Sequence, residues 1–555
     1  MTKRLTFFID AYNKLAESQA GFREGYRTVD NAFVLYSIID KYFNSRGKFV
    51  YVCFVDFKKA FDSVDRYILY EILQKNGLKG KLYKAITSLY SSIKGCVRAA
   101  GELSDVFNCP IGLRQGCNLS PILFAMFINE LYEFMVQNNI RGIQLFPSII
   151  EIFLLMFADD IALISDTVKG LQKQLNTLNT FCSRNKLTVN IDKTKIVVFK
   201  KGGNLARREK WHYGETELEV VNGYTYVGLY FTNRLSTINM AEAMSTKAKC
   251  VLAQILNTFS ELHYVPYHTF FKVFDSKISS ILLYGSEIWG LKHMSCIEKI
   301  HIYACKRYLN APANSCNDAI MGDLARFPMF INTSKRCIKY WLRILQLPAH
   351  RYVRACYEML KHFDQLGHIN WVTHLRIHLF SNGFGYVWQM QGVSNETIFL
   401  NQYIQRVKDQ YIQTWRLNCE ESRKLNYYKI FKMNFSLESY ITKIDVNKFR
   451  ACLARFRSSS HSLMIEKGRH LNIDKHFRTC IYCETQIEDE YHFVIICPLY
   501  AEIRSKYIPF YFIQNPNVHK YAELFSNSST DVVRQLAMFL YYAFKERDNY
   551  LTMFE

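Results

Sequence analysis

The sequence lacks a run of about 18 consecutive apolar residues, the length that a helix needs to cross a bilayer. The strongest candidate, SIIEIFLLMF, is shorter and contains Glu151. The N-terminal stretch MTKRLTFFIDAYNK has a basic start but no long apolar region and no small-residue cleavage site, so it does not match a secretory signal. These absences predict a protein of the cytoplasm, the nucleus or both, without a membrane span.

Acidic residues are scarce relative to basic ones, because 49 Asp and Glu stand against 70 Lys and Arg and leave a formal net charge of +21. Such a balance attracts a polyanion, so nucleic acid is the leading partner class. Solvated lysine faces alone also give many proteins a basic charge. At 555 residues the chain is too long for one hydrophobic core, and it shows no repeats, so several different subdomains are expected.

The 16 cysteines show no disulfide pattern and are expected to be reduced in the predicted compartment. One group is spaced differently: Cys480, Cys483, His492 and Cys497 form C-x2-C-x8-H-x4-C within CIYCETQIEDEYHFVIICPLY. This spacing is typical of a tetrahedral structural zinc site with no open position for a substrate. The alternative is a set of reduced, metal-free cysteines around a strand. Before this group, residues 448–461 combine basic and aromatic side chains, which suits nucleic-acid contact or a charged amphipathic helix.

Apolar patterns predict the main elements of the first half. Residues 28–44 have helical spacing, 48–57 read as a buried strand that ends at Asp56, and 118–137 form a helix that is apolar on nearly every face. The runs EIFLLMF and IALI flank two acids, which predicts a β-hairpin whose turn bears Asp159 and Asp160.

Further along the chain, a helix is expected near 169–185, and GYTYVGLYF predicts one more strand. Residues 200–210, KKGGNLARREK, predict a flexible basic linker or a hairpin tip. From about residue 235 to 448 the pattern is mostly helical.

The adjacent acids Asp159 and Asp160 are costly at the end of an apolar run, because they repel each other and lose hydration. A cation removes that cost. Mg²⁺ prefers carboxylate and phosphate oxygens, and two such ions close together can clamp a phosphoryl transfer. Asp56 is the natural third ligand if its strand lies beside the hairpin. For ADD taken alone, an ordinary acidic turn is the simpler interpretation.

Three stretches occur in order along the chain, and the first and third contain these acids: VDFKKAFDSV, GLRQGCNLSPILF and FADDIALI. In this order they resemble motifs A, B and C of the reverse transcriptases of non-LTR (LINE-type) retrotransposons. QAGFREGYRTVDNAF (19–33) resembles the fingers motif of that family, LTVNIDKTKIVVF its motif D and YTYVGLYF its motif E. The resemblance covers residues 19–231, and residues 265–290 are similar to the family's thumb segment.

The resemblance implies roles for individual residues. Asp56, Asp159 and Asp160 would be the catalytic acids and bind two Mg²⁺ ions, and Lys193 would donate a proton to the leaving pyrophosphate. The incoming nucleotide would meet Phe57 (through its carbonyl), Phe61 (under the sugar), Arg114, Gln115 and Gly116. Without the resemblance, Phe61 would be a core residue, the Gln115 stretch a plain loop and Lys193 a solvated side chain.

The resemblance also implies the architecture, an α+β right-hand polymerase fold with a helical C-terminal region and a small zinc knuckle. The predicted domains are listed in chain order: partial fingers (1–48), palm with inserted fingers elements (49–232), helical thumb (233–310), helical connection (311–448), basic segment and CCHC zinc knuckle (449–510), and C-terminal helical tail (511–555). The implied function is RNA-directed DNA polymerase, a nucleotidyltransferase acting with an RNA template, a DNA primer or target DNA, and dNTPs.

Only 18 residues precede the QAGFREGYRT motif, so the upstream fingers strands and the endonuclease domain of many relatives are expected to be missing from this chain. A truncated family member with impaired nucleotide binding is the resulting expectation. Two alternatives stay open: a catalytically silent nucleic-acid-binding remnant of a mobile element, and a group II intron-type maturase.

Overall fold

The computed structural model describes residues 1–43, 49–202 and 209–553, which form two compact units. The first unit contains Met1–Met240, Glu287–Trp289 and Cys337–Ser394, and the second contains the remaining segments, Ala241–Ser286, Gly290–Arg336 and Asn395–Glu555. The predicted thumb and connection ranges each contribute to both units, and the predicted subdivision stays a prediction. Within the described ranges, no helix has the length and apolar character that a membrane crossing requires.

The strands formed by the described residues all lie in the first unit and are short. In chain order they are β1 (Val50–Val55), β2 (Lys94–Gly95), β3 (Arg98–Ala99), β4 (Glu102–Leu103), β5 (Phe107–Asn108), β6 (Ile143–Gln144), β7 (Glu151–Ile152), β8 (Leu154–Phe157), β9 (Asp160–Ser165), β10 (Lys195–Phe199), β11 (His212–Tyr213), β12 (Thr216–Glu217), β13 (Gly223–Tyr226) and β14 (Leu229–Thr232).

Helices account for most of the rest of the chain. They are α1 (Thr2–Ala11), α2 (Thr28–Phe43), α3 (Arg66–Lys75), α4 (Gly80–Tyr90), α5 (Ser120–Gln137), α6 (Val168–Asn185), α7 (Thr237–Ser260), α8 (Tyr267–Val273), α9 (Ser279–Leu282), α10 (Ser286–Trp289), α11 (Ser295–Tyr308), α12 (Asn317–Leu324), α13 (Met329–Gln346), α14 (Tyr352–Gln365), α15 (Trp371–Ser381), α16 (Gly385–Met390), α17 (Glu396–Glu421), α18 (Tyr428–Phe431), α19 (Ser439–Lys443), α20 (Asn447–Arg457), α21 (Met464–His470), α22 (Ala501–Tyr507), α23 (Phe510–Ile513), α24 (Val518–Ser526) and α25 (Thr530–Thr552).

A four-stranded antiparallel sheet forms the centre of the first unit, in the order β10-β1-β9-β8. Both faces of this sheet are covered. Cys53 and Val55 of β1 belong to the same core as α5 and α6, while Phe54 on the opposite face stacks on Tyr224 of β13 at 4.5 Å between ring centroids. Because neither face meets solvent, the strands read as continuous apolar runs rather than as alternating patterns.

Most elements predicted for the first half are confirmed. The expected helices at 28–44, 118–137 and 169–185 are α2, α5 and α6, and the strand predicted over 48–57 is β1. The predicted hairpin around the paired acids is formed by β8 and β9. The mostly helical pattern between about 235 and 448 is also confirmed.

One element differs from its prediction. GYTYVGLYF was expected to be a single strand, but the chain reverses at Val227 and Gly228, which have φ values of 40° and 84°, and forms the β13–β14 hairpin. Part of the predicted basic linker at 200–210, residues 203–208, lies outside the described residues.

A buried network of charged and hydroxyl groups lies within the second unit. The Arg457 guanidinium donates two hydrogen bonds to the carboxylate of Asp323, at 2.7 and 2.9 Å, and both side chains are at most 3% exposed. Arg457 also lies 2.9 Å from the Glu438 carboxylate, and the hydroxyls of Tyr428 and Tyr440 donate to Asp323. The charges of Arg457 and Asp323 are therefore paired away from water.

Arg457→Ala is expected to lower the free energy of unfolding by about 3–5 kcal/mol, because it leaves Asp323 buried without its cation. The exposed pair of Arg534 and Asp445, whose side chains are 50% and 61% exposed, supplies a control. Arg534→Ala is expected to cost at most about 1 kcal/mol. Denaturant unfolding followed by circular dichroism measures both changes, and equal losses in the two variants would contradict the assignment.

Candidate active site and cysteine cluster

The sheet brings the three acids of the predicted catalytic set to one edge. Asp56 directly follows β1. Asp159 occupies the turn between β8 and β9, and Asp160 is the first residue of β9. The register pairs Val55 with Ile161, so the residues that follow Val55 and precede Ile161 leave the sheet side by side. The expected proximity of Asp56 to the paired acids follows from this register.

The charges at this edge affect one another. Desolvation by the surrounding protein, followed by the negative charges of Asp159 and Asp56, raises the pKa of Asp160 to about 6. The Asp160 side chain nevertheless keeps contact with solvent. Among the described residues, no salt bridge neutralises any of the three carboxylates. The edge is therefore a site of uncompensated negative charge whose oxygens suit Mg²⁺.

Backbone contacts fix the position of Asp56. Its amide donates a hydrogen bond to the Thr194 hydroxyl at 3.1 Å, and its carbonyl accepts one from the Asn190 amide at 2.7 Å. Lys193 lies in the turn between these two residues and is exposed. The structure thus places the segment with Lys193 beside Asp56, and the role of Lys193 in proton transfer stays a prediction.

The turn with Asp159 is held by a segment whose contribution the sequence did not reveal. The side-chain oxygen of buried Gln19 accepts hydrogen bonds from the amides of Ala158, at 3.3 Å, and Gly21, at 2.8 Å. The backbone on both sides of Gln19 pairs with Met156 of β8. Gly21 lies so close that a Cβ there would come within 2.3 Å of the Ala158 amide nitrogen. Gln19 and Gly21 therefore support the turn directly.

The residues predicted to meet the nucleotide lie on two neighbouring loops. Phe61 is partly buried and stacks on Phe124 of α5 at 4.4 Å, and its carbonyl accepts a hydrogen bond from the backbone before Arg114. Exposed Gln115 donates a hydrogen bond from its side chain to Asp62 at 3.0 Å.

The other three members of this set differ in exposure. Arg114 is exposed, whereas Phe57 is buried. At Gly116 the φ is 80°, and a Cβ would meet open space, so a ligand can approach this backbone closely. These placements suit the predicted contacts, which stay predictions.

Tyr224 on the β13–β14 hairpin is a further candidate that the sequence did not single out. Burial, followed by the charges of Asp56 and Asp160, raises the pKa of its phenol to about 12. The ring also stacks on Phe54 of β1, two residues before Asp56. The hairpin is therefore near enough to the acids for its phenol to respond to their charge. No local signal in this segment, which alternates as a single strand does, indicates the position of Tyr224.

The predicted zinc ligands come together in the second unit. The Sγ atoms of Cys480, Cys483 and Cys497 and a ring nitrogen of His492 all lie within 4.8 Å of one another. Cys497 Sγ is 3.8 Å from each of the other two sulfurs, which is about the separation of two thiolates 2.3 Å from one tetrahedral zinc ion.

Two details of the cluster suit metal binding. His492 Nδ1 is hydrogen-bonded to Gln486 Oε1 at 2.7 Å, whereas its buried Nε2 has no hydrogen-bond partner among the described residues, so the ring is oriented for ligation through Nε2. A hydrogen bond from Cys497 lowers the pKa of Cys480 well below its ordinary value. The cluster can therefore present both a thiolate and a free imidazole nitrogen.

Comparison with known proteins points to one family. Residues 1–231 match the family described as "Reverse transcriptase (RNA-dependent DNA polymerase)". The chain is 26% identical over 221 residues to the Pol polyprotein of the type-2 retrotransposable element R2DM of Drosophila melanogaster. This alignment covers 39% of this chain and 20% of the relative. It is 23% identical over 311 residues to the probable RNA-directed DNA polymerase from transposon BS of the same species. That alignment covers 54% of this chain and 33% of the relative.

The chain thus spans a third or less of the length of these two curated relatives. Among solved structures, Candida albicans telomerase in complex with a fragment of telomeric RNA aligns with a TM-score of 0.31 and 13% identity, over 64% of this chain and 56% of that chain.

Asp160→Asn is expected to raise the melting temperature at pH 8, because it removes one of three mutually repelling charges. A carboxyl whose pKa is raised on folding favours the folded state fully below its unfolded value near 3.8 and loses that benefit as the pH rises through about 6. The advantage of the variant should therefore be largest above about pH 6 and shrink as the pH falls from 8 through 6 towards 3.8. Thermal unfolding across this range, with exposed Asp105→Asn as the control, measures it, and a pH-independent difference would refute the assigned cause.

Proposed function

We infer that the activity of this chain resides in its first 231 residues, which belong to the reverse transcriptase family and are similar to the RNA-directed DNA polymerases of non-LTR retrotransposons. This agreement confirms the resemblance predicted from the motifs. The proposed reaction is extension of a DNA primer on an RNA template. The observation that supports it most directly is the convergence of Asp56, Asp159 and Asp160 at one edge of the central sheet.

The three aspartates fit a pair of Mg²⁺ ions, because they offer oxygen ligands and an unneutralised charge. When bound, such ions supply activation of a primer 3′-hydroxyl and stabilisation of charge on the transferring phosphate. In this proposal Asp56 and Asp159 would hold the ions and Asp160 would complete the set. Hydrogen bonds from Asn190 to the Asp56 carbonyl and from the Asp56 amide to Thr194 keep that ligand in place.

The nucleotide is proposed to lie against the loops that present Phe61 and Gln115. Phe61, supported by its stack on Phe124, would pack under the sugar, and Gln115 and Gly116 would face the nucleotide from the neighbouring loop. The Phe57 carbonyl would face a metal ion. Arg114 would contact phosphate and Lys193 would supply the proton for the pyrophosphate that leaves.

The finer architecture is proposed from the same family. Residues 49–232 would form the palm, with Tyr224 on the β13–β14 hairpin in the position of a primer grip. Residues 233–310 and 311–448 would form the thumb and connection and contact the template–primer duplex. The net charge of +21 supports anionic substrates, namely RNA, DNA and dNTPs.

Asp159→Ala is expected to abolish addition of dNTPs to a primed RNA template in the presence of Mg²⁺, because it removes a metal ligand while leaving β8 and β9 paired. Asp166→Ala, just beyond the other end of β9, is the matched control and should extend the primer. Gel-resolved primer extension measures both, and circular dichroism checks their folding. Extension by Asp159→Ala at the wild-type rate would overturn the metal assignment.

Filter binding of the RNA–DNA duplex across a salt series distinguishes the proposed enzyme from a silent remnant. Wild-type protein that binds with a steep salt dependence and also extends the primer supports the proposal. Binding without any extension would identify a nucleic-acid-binding remnant and contradict it.

We further propose that Cys480, Cys483, His492 and Cys497 hold a structural zinc ion, as their sulfur spacing and the free His492 Nε2 support. Cys483→Ser is expected to lose the metal and to lower the melting temperature, because zinc binding contributes to folding energy. Elemental analysis of purified protein measures the zinc content, and exposed Cys96→Ser should keep it. Wild-type protein without zinc would remove the site.

A further inference from the structure

We propose that Arg343 and Arg351 are positioning residues for the turn that presents Asp159 and Asp160. They act through residues 17–31, the segment that borders this turn, although they lie more than 300 residues further along the chain. All of these residues belong to the first compact unit. The inference rests on the proposed function in one respect only, namely that the turn serves metal-dependent chemistry.

The first link joins Arg343 to Asp30 at the start of α2. The guanidinium donates to both carboxylate oxygens of Asp30, at 2.8 and 2.9 Å, and it also donates to the carbonyl of Gly25. The hydroxyl of Tyr340 adds a hydrogen bond to Asp30 at 3.0 Å. Because the Asp30 side chain is only 3% exposed, this fork compensates a charge that water cannot reach.

The next residue carries the link onward to the catalytic hairpin. The Asn31 side chain donates a hydrogen bond to the carbonyl of Met156 in β8 at 3.1 Å and approaches the Tyr226 hydroxyl at 3.4 Å. Met156 lies two residues before Ala158 in the turn. The first turn of α2 is therefore anchored by Arg343 on one side and contacts the hairpin on the other.

The second link begins at Arg351. Its guanidinium donates to the carboxylate of Glu17 at 2.8 Å and lies 3.6 Å from the ring centroid of Tyr26. The Tyr26 hydroxyl also donates to Glu17, at 2.5 Å. Arg23, over the same ring at 4.2 Å, donates to the carbonyl of Gln19 at 3.0 Å. Gln19 in turn accepts the hydrogen bond from the catalytic turn.

These two links determine where the turn lies rather than only how stable the unit is. Gln19 accepts from the amide of Ala158, the residue before Asp159, so a shift of the 17–31 segment moves the ligand itself. Ala158 has a φ of 59°, a conformation that a residue other than glycine keeps only when its surroundings impose it. A displacement of about 1 Å at a catalytic group is enough to cost a large part of the rate.

The test compares Arg343→Ala with Arg343→Lys and with a matched control in the same part of the first unit. Arg376 makes an equivalent two-pronged contact with Asp364, at 2.9 and 3.0 Å, without contacting residues 17–31. In primer extension, Arg343→Ala should be slower by roughly tenfold or more at limiting Mg²⁺ and should need more Mg²⁺ for its half-maximal rate. Arg343→Lys, which keeps the charge but not the fork, should lie between the wild type and Arg343→Ala. Arg376→Ala should keep the wild-type Mg²⁺ requirement.

Binding of Mn²⁺ to the full chain, measured by electron paramagnetic resonance, reports on the acids independently of extension. Arg343→Ala should bind Mn²⁺ several-fold more weakly than the wild type, towards the residual level set by Asp159→Ala. If the wild type never extends primers but Arg343→Ala binds Mn²⁺ more weakly than the wild type, the positioning role is supported and the proposed polymerase activity is refuted. An unchanged Mg²⁺ requirement and Mn²⁺ affinity in Arg343→Ala, or equal changes in Arg376→Ala, would overturn the inference.

Discussion

Mutual repulsion among three carboxylates is the constraint around which the first unit is organised. Asp56, Asp159 and Asp160 meet where two neighbouring strands end, and burial together with their mutual repulsion raises the pKa of Asp160. The sheet can hold them there because both of its faces are packed with apolar side chains, which fixes the register. A slip of one residue would move every side chain to the opposite face and lose the packing on both, so the register that places the acids together is also the one that packing demands.

The parts of this arrangement that the sequence predicted are those with local signals. The strand before Asp56 and the hairpin with the paired acids are short apolar runs bounded by polar residues, and α5 is an apolar run long enough to exclude a strand. The cysteine cluster was predictable for a similar reason, because its ligands lie within 18 residues of one another and their spacing reflects the geometry of the metal.

Local signals also explain the error at the β13–β14 hairpin. The segment alternates as a strand does, and its reversal uses Val227 and Gly228, of which only glycine is a usual turn residue. Contacts between distant segments have no local signature at all. Gln19, Asp30 and Arg343 look like ordinary polar residues in the sequence, and their importance becomes visible only when the fold brings them together.

The distance along the chain between Asp30 and Arg343 bears on where the unit that holds the three aspartates ends. The family match stops at residue 231, yet the buried carboxylate of Asp30 receives its cation from α13, 313 residues away. A fragment limited to the matched residues would keep the charge of Asp30 and lose the guanidinium that neutralises it, which is a costly state for a buried acid. The helices of Cys337–Ser394 therefore belong physically to the unit that holds the aspartates, even though they lie beyond the residues that the family match covers.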